Sequence, residues 1–171
     1  MVSSNEKIRA ADRYMPCLLS RLVDKNPEKK TDAGFSRGVS VKTLKREILR
    51  NIEMILNSAS HPSRRELGDD PLVCTSVLAL GLPDFCGVSH GAESRERLRS
   101  EILRQVRLFE PRIRPESLEV VVSDAKDAAG TSVLDAEIRG LIEVSPLREE
   151  LVFRSRFDLE TGTVAVSLPE A

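Results

Sequence analysis

Apolar residues recur along this chain at two different periods, and the switch falls near Pro115. Before it the spacing is helical. Val41, Leu44, Ile48, Ile52 and Ile55 share one face, widened by Leu49 and Leu56. Lys42, Lys45, Arg46, Glu47, Arg50 and Glu53 cover the other side. Ser40 is placed to cap this helix, which should end near Asn57. A second helix is predicted from about Ser94 to Phe109, with Leu98, Ile102, Val106 and Phe109 on its face and Leu103 beside them. After Pro115 the period becomes two. Leu118, Val120 and Val122 alternate with polar residues, as do Leu134 to Val144 and Leu151, Phe153 and Phe157. Val164, Val166 and Leu168 follow a Glu160-Thr161-Gly162 turn. Strands with one apolar and one wet face suit an antiparallel sheet packed on helices. The expected class is α+β, two main helices on a mainly antiparallel C-terminal sheet spanning about 118–168.

The N-terminal part reads differently. Residues 1–14 are polar. Pro16 can sit in the first turn of a short helix carrying Leu18, Leu19, Leu22 and Val23 at helical spacing. Asp24 to Gly38 is a polar stretch with Pro27, Gly34 and Gly38, read as a linker. The chain thus divides into an arm and linker, 1–39, and a domain, 40–171. The arm's apolar stripe has two possible seats, its own domain or a partner. Within the domain, a polar loop opens at His61-Pro62, and Gly81-Leu82-Pro83-Asp84 reads as a turn.

Charge and composition remove some functions. The 171 residues carry 26 basic and 27 acidic side chains, for a formal charge of -1. That balance supplies no strong field toward nucleic acid or an anionic membrane. Arg95, Arg97, Arg99, Arg104 and Arg107 ring the second helix, but Glu93, Glu96 and Glu101 temper them. With no Trp and one Tyr, a stacking platform for bases or sugars is poorly supplied. Cys17, Cys74 and Cys86 are widely spaced and odd in number, which fits reduced thiols of an intracellular protein. The N-terminus lacks the apolar core of a signal peptide, and the run Leu72 to Leu82 is broken by Thr75, Ser76 and Gly81. A soluble cytoplasmic protein is expected. Cys86 and His90 lie four apart without a second ligand pair, and no glycine-rich phosphate loop is present. No metal, cofactor or catalytic residue is assigned. Glu53 and Glu110 are only nominal candidates for a hydrolytic carboxylate pair.

One corner carries more information. Pro111 biases Glu110 out of the helical region, so the second helix should stop there. A carboxylate at the negative end of a helix dipole is disfavoured by roughly 0.3–1 kcal/mol unless a cation answers it. Arg112, two residues on, is placed to do so. The corner is either an internal salt bridge or a protein-contact element.

Four segments, in this order, carry a resemblance. They are Met15-Pro16-Cys17-Leu18-Leu19-Ser20-Arg21-Leu22-Val23-Asp24, then Leu49 to Ser58, then Ser76-Val77-Leu78-Ala79-Leu80-Gly81-Leu82-Pro83-Asp84-Phe85, and Phe109-Glu110-Pro111-Arg112-Ile113. Together they resemble TssE, the baseplate subunit family of bacterial type VI secretion systems. That family is related to the contractile-phage wedge protein once described as lysozyme-like. Asn51 stands where the family usually has Asp, Leu80 where it has an aromatic, and Ser58-Ala59 where it has Thr-Arg. The resemblance implies a structural wedge subunit, not an enzyme, that helps connect the baseplate to the contractile sheath and initiate its assembly. It implies the wedge subunits TssF, TssG and TssK and the sheath subunits TssB and TssC as partners, with no nucleic acid and no membrane insertion. The expected interaction residues are Glu110, Pro111 and Arg112 at the corner, Leu18, Leu19 and Leu22 on the arm, and Val164 and Val166 on the last strand. The alternatives are a muramidase-like cell-wall hydrolase and a nucleic-acid binder using the arginine-rich helix.

Overall fold

The computed structural model describes residues 14–23, 27–28, 38–59, 70–85, 91–126 and 132–167. His61, Cys86, His90, Leu168 and most of the linker lie outside them. The chain forms two compact units, Met1–Ile48 and Leu49–Ala171.

In the first unit, Tyr14 and Val39 exchange both backbone hydrogen bonds, at 2.9 and 2.7 Å. Helix α1, Leu18–Leu22, is capped by the Cys17 side chain, which accepts from the Ser20 N–H. Pro16, expected inside the first turn, stands one residue before this cap. The Cys17 N–H donates to Glu47 Oε2 at 3.0 Å, which ties the base of α1 to the helix Val41–Asn57. Met15, Leu18, Leu19, Leu22 and Val23 are all exposed, so α1 contributes no core. Helix α2, Val41–Asn57, begins in this unit and ends in the other. Its Ser40 cap accepts from the Thr43 N–H at 3.3 Å, and Leu44 and Ile48 on its apolar face are buried.

The second unit holds the last turns of α2, with Ile52, Ile55 and Leu56 buried. A short helix α3, Pro71–Cys74, and a 3-10 turn, Val77–Ala79, precede the long helix α4, Ala92–Phe109. Four antiparallel strands follow in meander order: β1 Glu119–Lys126, β2 Ser132–Val144, β3 Leu147–Asp158 and β4 Val164–Ser167. The α+β class follows. The alternation seen in the sequence sets the register. Val120, Ile138 and Phe153 lie abreast on the buried face, and so do Val122, Ala136, Ser155 and Val166. Leu98, Ile102 and Val106 of α4, which packs on β1, complete this core. The opposite face carries Arg154 beside Glu137 and Arg156 beside Asp135, exposed pairs that each add little to stability.

Period alone does not show how β2 is covered beyond β1. The segment before Pro115 does this. Arg114 N–H donates to Leu141 O at 2.9 Å, and Glu143 N–H donates to Arg112 O at 2.9 Å. Gly140 admits the close approach: a Cβ there would lie 2.6 Å from a methyl of Ile113.

The β3–β4 turn is held by Asp158, whose carboxylate accepts from the N–H groups of Glu160 at 2.8 Å and Thr161 at 3.1 Å. Those backbone hydrogen bonds hold its carboxyl below the ordinary aspartate range. A lowered folded-state pKa stabilises above the unfolded value of about 3.9 and is lost as pH falls through the folded one. Amide exchange at Glu160 and Thr161 is therefore expected to accelerate only below about pH 4, and pH-independent protection there would contradict it. A second expectation concerns two positions on the buried face, both fully covered. Ile138→Asp should unfold the domain, because an unpaired charge enters the core. Ser155→Ala should stabilise it by about 1 kcal/mol, because the Ser155 hydroxyl has no hydrogen-bond partner among the described residues. Thermal unfolding that moves in the same direction for both variants would refute this assignment of the face.

Candidate interaction surfaces

The corner after α4 begins with backbone chemistry. Phe109 is the last helical residue, and Glu110 leaves helical geometry with φ -122° and ψ 77° ahead of Pro111. Its side chain then turns inward and is 1% exposed. Arg112 meets it with a planar fork, Nε to Oε1 at 2.6 Å and Nη2 to Oε2 at 2.7 Å. Asn51 Nδ2, from α2, lies 3.5 Å from Oε2. The cation that the helix dipole calls for is thus supplied locally, and bidentate pairing adds geometric specificity. Because the Arg112 carbonyl also accepts from β2, the ion pair fixes the end of α4 against the sheet. Pro111 is exposed and the Arg112 side chain is 19% exposed, so the corner shows solvent its proline and a small part of the Arg112 side chain.

The Gly-Leu-Pro-Asp turn is built by close approach. Gly81 has φ +103°, and a Cβ on it would sit 2.3 Å from the Ser58 carbonyl oxygen. Leu82 N–H donates to that same carbonyl at 2.9 Å. Gln105, fully buried on α4, accepts from the Gly81 N–H and donates to Ala79 O, both at 2.9 Å. Beside this rigid turn, Leu72, Val77 and Leu78 are 81%, 76% and 57% exposed. Sequence reasoning assigned these three no role. Their signals were membership of the apolar run Leu72 to Leu82 and, for Val77 and Leu78, of one segment that carries the resemblance.

At the far end of the sheet, Val164 is buried and Val166 half-buried on the core side of β4. Asn57, the last residue of α2, accepts from the Val164 N–H at 2.9 Å and donates to the Val164 carbonyl at 2.8 Å. In an antiparallel ladder the N–H and C=O of one residue point the same way, and successive residues alternate. Val164 therefore faces outward and Ala165 faces Arg156 of β3. A proline at 165 would break the sheet's own ladder. The outward donor is that of Val166.

The arginines of α4 are engaged inside the molecule. Arg95 pairs with Asp124, Arg99 donates to Val120 O at 3.1 Å, and Arg107 donates to Pro115 O at 3.3 Å. Arg104 pairs with Glu101, and Arg97 lies over the Phe85 ring at 5.3 Å. This weighs against the nucleic-acid reading. Glu53 is exposed, while both oxygens of Glu110 are taken by Arg112, so neither stands as an unpartnered carboxyl in an apolar pocket. Among the described residues no group of three or more His, Cys, Asp or Glu is placed to hold a metal. No helix among them is long and apolar enough to cross a membrane.

A family model described as baseplate wedge protein gp25 matches residues 42–147, and the chain belongs to that family. No curated protein and no solved structure matches it. The match runs from α2 to the β2–β3 turn and stops short of β4.

The corner generates a test. Arg112→Ala leaves a buried carboxylate unpaired and should cost about 3–5 kcal/mol of stability. Glu110→Ala leaves a cation that can reach water and should cost less, about 1–3 kcal/mol. Arg112→Lys should fall between wild type and Arg112→Ala, since an ammonium cannot reproduce the fork. Urea unfolding measures all three. Alanine variants within about 0.5 kcal/mol of wild type would exclude the corner as a stabilising tie.

Proposed function

We propose that this chain is a TssE-like wedge subunit of a type VI secretion baseplate that works in the cytoplasm, joins the baseplate to the contractile sheath and starts sheath assembly. Membership of the wedge family over residues 42–147 carries the reading. Its partners are then the wedge subunits TssF, TssG and TssK and the sheath subunits TssB and TssC. Three features support separate contacts. The exposed side chains of Leu18, Leu19 and Leu22 suit burial by a wedge partner. Pro111 and the exposed part of the Arg112 side chain suit a second wedge contact, with Glu110 holding the guanidinium in place. The outer edge of β4, at Val164 and Val166, suits an added strand of the sheath.

Two variants separate these contacts. Changing Leu18, Leu19 and Leu22 together to Ser should leave the melting temperature within about 2 °C of wild type, because none of the three is buried. It should also abolish co-purification of the wedge subunits. Val166→Pro should leave that co-purification intact and stop sheath formation in cells, because it removes an outward strand donor. Normal sheaths and a complete wedge in both strains would overturn the proposal.

A further inference from the structure

The β4 edge is not simply open. Strand β4 is Val164–Ser167, so alternation gives it two outward positions, Val164 and Val166. The Asn57 side chain occupies the first of them. Its Oδ1 accepts from the Val164 N–H, and its Nδ2 hydrogens go to Val164 O at 2.8 Å and Glu53 O at 2.9 Å. These three bonds fix the amide orientation, since the flipped form would face two carbonyls with oxygen and an N–H with NH2. One carboxamide thus presents to Val164 the same acceptor and donor that a neighbouring strand would.

A strand pairing along β4 needs both outward positions, and with Asn57 in place only Val166 is open among the described residues. We propose that Asn57 is a displaceable edge guard. It holds the Val164 position in the free protein and swings out when an extended strand from another subunit adds to β4. The incoming strand should place apolar residues on the side of Val164 and Val166 and polar residues on the side of exposed Ala165 and Ser167. That alternation fixes its register, because a one-residue slip exchanges its faces. In identifying the added strand with the sheath, the inference rests on the function proposed above. The guard itself does not depend on that identification. It accounts for why a short edge strand with alternating valines need not pair with the wrong chain.

The probe is a fluorescent peptide with the sequence of residues 162–168, Gly-Thr-Val-Ala-Val-Ser-Leu, which alternates as the incoming strand must. A peptide of the same composition in scrambled order is the control. The protein is the full chain as wild type, Asn57→Ala and Asn57→Asp, each checked for cooperative melting. Asn57→Asp retains an acceptor for the Val164 N–H but sets a carboxylate against the Val164 carbonyl, so it opens the guard even where Asn57→Ala does not fold.

Both variants are expected to bind the ordered peptide at least tenfold more tightly than wild type and to ignore the scrambled one. Adding Val166→Pro should abolish the gain. Exchange of the Val164 amide should be at least tenfold faster in Asn57→Ala without peptide. Equal affinity in wild type and variants would overturn the guard. So would binding that survives Val166→Pro, or lowered melting with no gain in binding. If instead Val166→Pro cells still build sheath while Asn57→Ala binds the peptide tenfold more tightly, the sheath reading fails and the guard stands.

Discussion

The ion pair between Glu110 and Arg112 is the constraint on which the order of the larger unit depends. A carboxylate that is 1% exposed at the negative end of a helix is costly unless a cation sits against it. The cation comes from two residues along the same chain, so pairing forces the backbone to turn immediately after α4. Pro111 makes that turn the low-energy path. Once turned, Arg112 and Arg114 exchange hydrogen bonds with Glu143 and Leu141, and β2 gains a neighbour over the length that β1 leaves uncovered. Asn51 reaches the same carboxylate from α2, so three elements converge on one charge.

Away from that charge, neutral amides serve as substitutes for missing backbone partners. Gln105 takes a donor and an acceptor from the Ala79–Gly81 turn, and Asn57 takes both from Val164. A carboxamide carries both functions without net charge, so it can be buried at a site where a charged group would need a counter-ion. Gln105 achieves this at full burial. In each case the amide sits on a helix and the unsatisfied backbone sits on an irregular or edge segment. The rigid helix therefore sets where the loop or strand can be.

Much of the fold is readable in the sequence because hydrophobic period is a local signal. Leu98, Ile102 and Val106 repeat on a helix and are buried, and Leu151, Phe153 and Phe157 alternate on a strand and are buried. The wedge family is readable because Gly81, Glu110, Pro111 and Arg112 are residues with few substitutes at their positions. Gly81 needs a positive φ and no Cβ, and Arg112 needs a planar fork. What stays hidden is long-range and polar. Nothing in the pattern around Asn57 says that its amide meets Val164, 107 residues away. Nothing around Ala165 says which way its N–H points, because that depends on which side β3 lies. The arginine ring of α4 shows the same limit: sequence gives five cations on one helix, and only the fold shows where each goes.

Those arginines also make the two edges of the sheet unequal. On β1, which packs against α4, Arg99 donates a charge-assisted hydrogen bond to Val120 O and Arg95 pairs with Asp124. Both arginines come from a helix whose Leu98, Ile102 and Val106 are fully buried. Among the described residues, the outer side of β4 is held by the neutral Asn57 side chain at the end of α2, whose displacement frees the N–H and C=O of Val164. Strand addition at β4 therefore displaces a neutral amide, whereas at β1 it meets charged side-chain contacts. In a sheet built as a four-strand meander, that asymmetry gives an assembly a direction in which to grow.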